Sequence, residues 1–202
     1  MDEPLASLDL ASRAQILPYF EALQRELSLP VLYVSHAPAE VVRLASRIVW
    51  LTEGRVRAHG PLNEMLTRPD LPLAHDHDAG AVLEGNVIEQ LPDCHLTQVA
   101  VAAGRLTISH RPLAIGSPTR VHVRARDVSV ALRRPEHTSI NNILEVRVLD
   151  LHPDADPAHR LVRLAAGDAV LLARITGRSV AELALAPGLA VFALVKSASL
   201  VE

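Results

Sequence analysis

The apolar pattern of this chain changes character between Pro69 and Gly80, and this change constrains the fold more than any other feature. Before it, apolar residues recur at helical spacing and in short, wholly apolar runs. After it, short runs follow one another, separated by Gly and Pro turns. Residues 69–80 are rich in Pro, Asp and His, have no periodic face and are predicted to form a linker. The sequence therefore predicts an α/β segment followed by an all-β segment.

The first segment is expected to alternate helices and strands, as in an α/β sheet. An amphipathic helix is predicted over residues 12–27, with Pro18 causing a kink or a late start. The apolar run 30–35 is typical of a strand that is covered on both faces in a parallel sheet, and it would deliver His36 to its end. Further elements are predicted in order: a helix over 38–45, a second buried strand over 47–52, its hairpin partner over 55–60 and a short helix over 61–66.

The second segment is predicted to be a small β barrel or sandwich. Its predicted strands cover residues 82–89, 96–102, 105–109, 120–130, 143–151, 161–164, 170–175 and 189–195. Two features are repeated. Ala102-Ala103-Gly104 recurs as Ala165-Ala166-Gly167, and residues 126–130 and 196–200 occupy equivalent positions after a strand. The repetition indicates two copies of one barrel-like module.

Composition excludes several classes of protein. Apolar residues make up 49% of the chain and aromatic residues 2%, so its cores must be aliphatic. A net charge of -3 argues against a nucleic-acid partner, which normally meets a basic excess. The acidic start lacks the features of a signal peptide, and no apolar run reaches the roughly 18–20 residues of a membrane span. We therefore expect a soluble protein that binds a protein or a small ligand.

Lysine usage bears on nucleotide binding. Lys196 is the only lysine, and no glycine run precedes it. A phosphate-binding loop of the G-x-x-x-x-G-K-[ST] kind requires a lysine directly after its glycines. This chain contains no such loop.

Four residues near the start form a catalytic constellation: Asp2 and Glu3, then Asp9 in Ser7-Leu8-Asp9, and later His36. This stretch resembles the back half of an ABC-type ATPase domain. The resemblance implies that Asp2 helps hold Mg²⁺, that Glu3 polarises the attacking water, that Asp9 crosses a dimer interface and that His36 contacts the terminal phosphate of ATP. The alternative is a solvated acidic start and an ordinary histidine at the end of a strand.

The sequence departs from that family at one decisive place. The phosphate loop, the glutamine-bearing loop and the Leu-Ser-Gly-Gly-Gln signature should all precede Asp2, and here only Met1 does. Without the backbone N–H groups and the lysine of the loop, little would hold a triphosphate. We expect that this chain alone does not hydrolyse ATP.

A second resemblance lies at the other end, in residues 138–144, 173–179 and 195–197, which are similar to the molybdate-binding Mop module. Hydroxyls, amides and one cation suit a tetrahedral dianion. The resemblance implies an oxyanion site formed by Ser139, Asn142, Thr176, Ser179, Lys196 and Ser197. Asn141 stands where the motif commonly has arginine, so the affinity could fall. The alternative is that these residues form turns and caps in a structural barrel that only mediates dimerisation.

Two other charged stretches are assigned no site. His75-Asp76-His77-Asp78 alternates possible metal ligands, but ligands that alternate in an extended segment point to opposite sides. Arg133 and Arg134 are expected on a solvated strand face rather than in a nucleic-acid patch.

Together the resemblances identify the chain as part of the ATP-binding subunit of a molybdate ABC importer. The predicted domains are an incomplete P-loop NTPase half-domain over 1–68, a linker over 69–80, a β regulatory subdomain over 81–136 and a Mop-like, OB-like barrel over 137–202. The implied ligands are ATP with Mg²⁺ and molybdate or tungstate. The implied partners are a second copy and a membrane-embedded permease, at the inner face of the cell membrane. Alternatives are a stand-alone oxyanion-binding protein of the molbindin kind and a purely structural dimerisation module.

Overall fold

A computed structural model describes residues 1–27 and 30–201. The chain divides into two compact units, Met1–Leu62 and Asn63–Val201, and the boundary falls inside the short helix α3 (Leu62–Leu66). Among the described residues, no helix combines the length and the apolar character needed to cross a lipid bilayer.

The first unit contains α1 (Leu10–Leu27), α2 (Pro38–Leu44) and a hairpin of β1 (Arg47–Thr52) and β2 (Arg55–Pro61). Helix α1 runs through Pro18, so the prediction of a late start was wrong. The hairpin and the second helix were predicted correctly. Leu5, Leu17 and Leu44 form the small core of this unit.

The run 30–35 differs most from its prediction. It is not a strand covered on both faces: Leu32 is 76% exposed, and Val31 and Val34 are exposed as well. Its one pairing among the described residues is an isolated parallel bridge between Val34 and Asp2. A strand of a parallel sheet becomes buried only when neighbouring strands and covering helices surround it, and sequence periodicity cannot show whether those neighbours are present. For the same reason β1 is largely exposed rather than buried.

The second unit consists of two five-stranded antiparallel sheets with the same strand order, and each curved sheet is called a barrel below. The first barrel contains β3 (Gly80–Leu91), β4 (Leu96–Val101), β5 (Gly104–Ser109) and β6 (Pro118–Arg124). The second barrel contains β8 (Asn142–Pro153), β9 (His159–Ala166), β10 (Ala169–Thr176), the short helix α4 (Gly177–Glu182) and β11 (Ala190–Val195). The two predicted copies of one module are thus confirmed.

The two barrels exchange their fifth strands. Strand β7 (Val128–Ala131) follows the first barrel in the chain but pairs with β11, whereas β12 (Ser199–Leu200) follows the second barrel and pairs with β6. The strand orders are therefore β12-β6-β3-β4-β5 and β7-β11-β8-β9-β10. One continuous aliphatic core extends through both sheets.

The prediction of one strand over residues 120–130 was wrong, because a 3-10 turn at Ala125–Asp127 separates β6 from β7. The sequence carries a signal for this break. Buried residues alternate at Val121, Val123 and Ala125, and the phase then shifts by one to Val128. Because a shift of one residue turns a strand over, a single strand could not bury both sets.

Hydrogen-bonded anchors also correct the alignment of the two repeats. Gly116 N–H donates to the carbonyl of Val87 at 2.7 Å, and Gly188 N–H donates to the carbonyl of Val148 at 2.8 Å. Both acceptors border a β-bulge in the first strand of their barrel. Counting from these glycines, the counterpart of Lys196 is Arg124, whereas the repeated sequence pattern aligns Arg126 with it.

The segment 69–80 is packed within the second unit. It contains a 3-10 helix at Pro72–Ala74, and Leu71 and Ala74 are buried. His75 Nδ1 lies 3.1 Å from a carboxylate oxygen of Asp154, and its Nε2 lies 2.8 Å from the carbonyl of Pro69. The segment that composition predicts to be a linker therefore has tertiary contacts of its own.

Candidate functional site

The structure brings Glu3 and His36 together in the first unit. His36 Nδ1 donates to Glu3 Oε1 at 2.9 Å. Glu3 has a left-handed backbone with φ of 42°, and its N–H donates to the carbonyl of Val34 at 2.9 Å. Because its backbone is hydrogen-bonded to Val34, Glu3 lies close to His36, which follows Val34 by two residues. Both side chains are exposed.

A buried ion pair supports the segment that carries His36. Glu40 is 3% exposed and lies 3.2 Å from Arg13. It accepts hydrogen bonds from Tyr33 Oη at 2.9 Å and from Ser35 Oγ at 2.7 Å. Burial, followed by the hydrogen bond to Glu40, raises the pKa of Tyr33. Sequence reasoning missed this network, because the acid of α2 and the arginine of α1 have no recognisable spacing.

Asp9 has a structural role in this chain. Its Oδ1 accepts the N–H groups of Ala11 and Ser12, both at 2.9 Å, and its Oδ2 accepts the Ser12 hydroxyl at 2.8 Å. These are the bonds of a helix N-cap. The hydrogen bonds from Ser12 lower the pKa of the carboxyl, so it stays ionised.

Asp2 is compatible with one ligand position for Mg²⁺. The described residues contain no group of three metal-ligating side chains. Mg²⁺ retains several waters and is usually held by one or two carboxylates together with substrate phosphates. The exposed Asp2 beside Glu3 fits such a site, in which the nucleotide supplies the remaining ligands.

In the second unit, one end of the second barrel gathers most of the predicted oxyanion ligands. Strands β8 and β11 pair Asn142 with Val195, so continuing the register places Asn141 opposite Lys196. Ser139, Asn141, Lys196 and Ser197 are all exposed at this end. Among the described residues Lys196 forms no ion pair. This end therefore offers hydroxyls, an amide and an unneutralised ammonium.

Asn142 lies at the same end but faces the other barrel. Its side chain is buried at 4% exposure, accepts the N–H of Thr107 at 2.6 Å and donates to the carbonyl of Thr107 at 3.0 Å. The predicted ligand is thus engaged with the backbone of β5. The main chain of Thr107 holds this side chain in place, and no motif in the sequence indicates the contact.

Thr176 and Ser179 lie elsewhere. Thr176 pairs with His159 at the far end of β10, next to the end of β8 opposite Asn142. Its hydroxyl caps α4 by accepting the N–H of Ser179 at 3.1 Å. Within one chain, these two hydroxyls are therefore not gathered with Lys196.

The side chains of the stretch 75–78 have different partners, although this stretch forms turns and not the extended segment that the sequence argument assumed. His75 contacts Asp154, whereas Asp78 lies 3.3 Å from Arg124 and 2.9 Å from Arg126. Sequence reasoning named Asp78 as part of this stretch but did not pair it with Arg124 and Arg126.

Comparison with known proteins agrees with both resemblances. A model of the TOBE domain family matches residues 138–201. The molybdenum import ATP-binding protein ModC of Hahella chejuensis is 48% identical over 202 residues, which are 100% of this chain and 56% of that protein. ModC of Pseudomonas aeruginosa is 52% identical over 199 residues, covering 98% of this chain and 55% of that protein. The chain spans little more than half the length of these curated relatives.

The chain also matches a solved structure, that of the cytoplasmic molybdate-binding protein ModG with molybdate bound. The TM-score is 0.51 at 24% identity, and the match covers 59% of this chain and 93% of ModG. This likeness establishes a shared fold. Residues 138–201 thus match the TOBE domain family, within a chain that is similar along its whole length to part of the ModC molybdenum import ATP-binding proteins.

Proposed function

We propose that this chain belongs to the ATP-binding subunit of a molybdate importer and that its TOBE domain binds a tetrahedral oxyanion, molybdate or tungstate, at Lys196. The observation that carries the proposal is the gathering of Ser139, Asn141, Lys196 and Ser197 at one end of β8 and β11. A dianion is stabilised by a cation and by hydrogen-bond donors. No described carboxylate competes for this ammonium.

The charge of the site sets the expected affinity. A single ammonium leaves one charge of the dianion to be balanced by neutral donors. An arginine at position 141 would have added a second cation with a planar fork of donors. We therefore expect weaker binding than in a site with that arginine, and Asn141→Arg should strengthen it.

Calorimetric titration of the purified chain with molybdate tests the oxyanion site. Lys196→Ala should abolish the heat of binding, and Asn141→Arg should lower the dissociation constant by about tenfold, equivalent to about 1.4 kcal/mol. Arg55→Ala is the matched control, since it removes one exposed cation from the other unit and should leave binding unchanged. If the intact chain gives no heat of binding, the oxyanion site is wrong and the barrels have a structural role only.

A second copy of the chain would complete the donor set. Thr176 and Ser179 lie at the opposite end of β8 from Lys196, so one chain cannot place all of them around one ion. In a homodimer, these hydroxyls could face the Lys196 end of the partner. A mixture of Lys196→Ala and Thr176→Ala chains should then recover sites that neither variant has alone, measured as molybdate bound per dimer.

In the importer, the first unit would serve ATP hydrolysis beside a membrane-embedded permease at the inner face of the membrane. Asp2 would be a carboxylate ligand of Mg²⁺, which neutralises charge on the phosphates when it is bound. Glu3 would polarise the attacking water and His36 would contact the terminal phosphate, and the 2.9 Å contact between the two side chains supports this arrangement. Asp9, held as a helix cap, would contact the second subunit. In the assembled importer, Glu3→Gln should abolish ATP hydrolysis while ATP binding persists.

A further inference from the structure

The first barrel contains a counterpart of the Lys196 site with a different charge balance. The two barrels can be aligned through Gly116 and Gly188, which share a backbone φ of 89°. Both donate their N–H to a residue that borders a bulge, Val87 or Val148. This alignment rests on hydrogen bonds rather than on sequence identity.

The alignment assigns counterparts to the main residues of the site. Arg124 follows Gly116 by as many residues as Lys196 follows Gly188, and each ends its paired strand or comes directly after it. Asp78 precedes the bulge of the first barrel by as many residues as Ser139 precedes the bulge of the second. Where the second barrel has a hydroxyl and an ammonium, the first barrel has a carboxylate and a guanidinium.

In the first barrel this carboxylate contacts the cations directly. Asp78 Oδ1 lies 3.3 Å from Arg124 Nε and 2.9 Å from Arg126 Nη2. The three side chains remain partly open to solvent, with 56%, 40% and 34% exposure. In the second barrel, by contrast, Lys196 has no ion pair among the described residues.

We propose that the first barrel holds a second oxyanion site, which the chain fills with its own Asp78 carboxylate. A carboxylate presents oxygens to a guanidinium as an oxyanion does. Because Asp78 is tethered next to the arginines, its effective concentration exceeds that of a free anion. The protein therefore binds oxyanion in the second barrel alone. This inference rests on the proposed oxyanion site at Lys196.

The first-barrel site would bind more weakly than a site with a full set of donors. Gly80 stands at the position of Asn141, and a Cβ atom there would lie 2.3 Å from the carbonyl oxygen of Val123. The close approach of β6 leaves no room for a side chain. The donors left for an oxyanion are the two arginines, because the Asp78 carboxylate can only accept hydrogen bonds.

The test removes the internal anion in a background without the second-barrel site. In the double variant Lys196→Ala/Asp78→Ser, the Asp78 carboxylate is replaced by a hydroxyl like that of its counterpart Ser139 in the second barrel. Molybdate is titrated calorimetrically into the full chain that carries this variant. We expect this double variant to bind about one molybdate ion per chain through the first barrel, whereas Lys196→Ala alone should bind none. Adding Arg124→Ala should abolish the gain. The matched control is Lys196→Ala/Asp93→Ser, which removes an exposed acid elsewhere in the first barrel and should gain nothing.

The outcomes separate this inference from the proposed function. Comparison of the unmodified chain with Lys196→Ala tests the Lys196 site, whereas comparison of Lys196→Ala with the double variant tests the first barrel. If the serine variant does not fold, Asp78→Asn in the same background keeps the shape of the side chain and removes its charge. A folded variant without additional molybdate binding, or an equal gain with Asp93→Ser, overturns the inference.

Discussion

The carboxamide of Asn142 hydrogen-bonds both main-chain groups of Thr107, at 2.6 Å to its N–H and 3.0 Å to its carbonyl. A side chain at the start of β8 thus occupies the place of a neighbouring strand beside β5, the edge strand of the first sheet. An unpaired edge exposes such groups, and here one amide satisfies two of them. The first residue of β8 is therefore fixed to the other barrel.

Removal of this bridge should destabilise the second unit. Asn142→Ala leaves the partly buried N–H and carbonyl of Thr107 unpaired, which we expect to lower the free energy of unfolding by about 1–3 kcal/mol. Urea denaturation measures the change, and Asn141→Ala, an exposed neighbour, is the control. Thr107→Pro removes the same N–H from the other side, so a double-mutant cycle should show coupling between positions 107 and 142. Additive effects would contradict the bridge.

The ion group of Asp154 predicts a pH dependence of stability. Asp154 is 3% exposed and lies 3.1 Å from His75 and 2.5 Å from Arg174. Burial works against ionisation, but the hydrogen bonds from His75, Ala155 N–H and Arg174 outweigh it and lower the pKa of Asp154 below its ordinary value of 3.8. The unfolded chain thus binds a proton more readily, and stability falls as pH drops below that value towards the folded pKa.

Asp154→Asn should remove this part of the acid dependence. The substitution leaves Arg174 without its carboxylate, so we expect a loss of about 3 kcal/mol at neutral pH. Thermal unfolding between neutral and acid pH should show a flatter curve for the variant. Asp168→Asn, at an exposed turn, should leave the curve unchanged. Parallel curves for the unmodified chain and Asp154→Asn would exclude this ion group as the source.

Strand exchange predicts a long-range effect of the chain end. Leu200 follows the second barrel in sequence but pairs with Val121 of β6 in the first. Leu200→Asp should therefore increase hydrogen exchange of β6 amides by about tenfold, while β9 amides change little. Ser199→Asp is the control, because it adds the same charge at an exposed position of the same strand. Faster exchange confined to β11 would argue against the exchanged pairing.

The purified 202-residue chain is expected to show no ATP hydrolysis. Glu3 and His36, the proposed catalytic residues, lie 2.9 Å apart, but the sequence supplies no glycine-rich loop with a lysine to hold the phosphates. Phosphate release in the presence of Mg²⁺ and ATP measures the rate. A rate that depends on Mg²⁺ and disappears in Glu3→Gln would falsify this prediction.

Local pattern determined much of the protein. The order of helices and short strands, the duplication of the barrel module and the constellation from Asp2 to His36 were all readable from the sequence. These features depend on side chains that are neighbours in the chain or recur at a fixed period. The only lysine, Lys196, was likewise readable from the sequence and led to the proposed oxyanion site.

Tertiary structure decided the features that depend on distant partners. Whether residues 30–35 are buried depends on which strands surround them, and periodicity carries no record of those strands. The destination of β7 and β12, the engagement of Asn142 with Thr107 and the contact of Asp78 with Arg124 join residues far apart in sequence. Hydrogen bonds and ion pairs act over a few ångströms in space, so only the folded chain shows which of these groups meet.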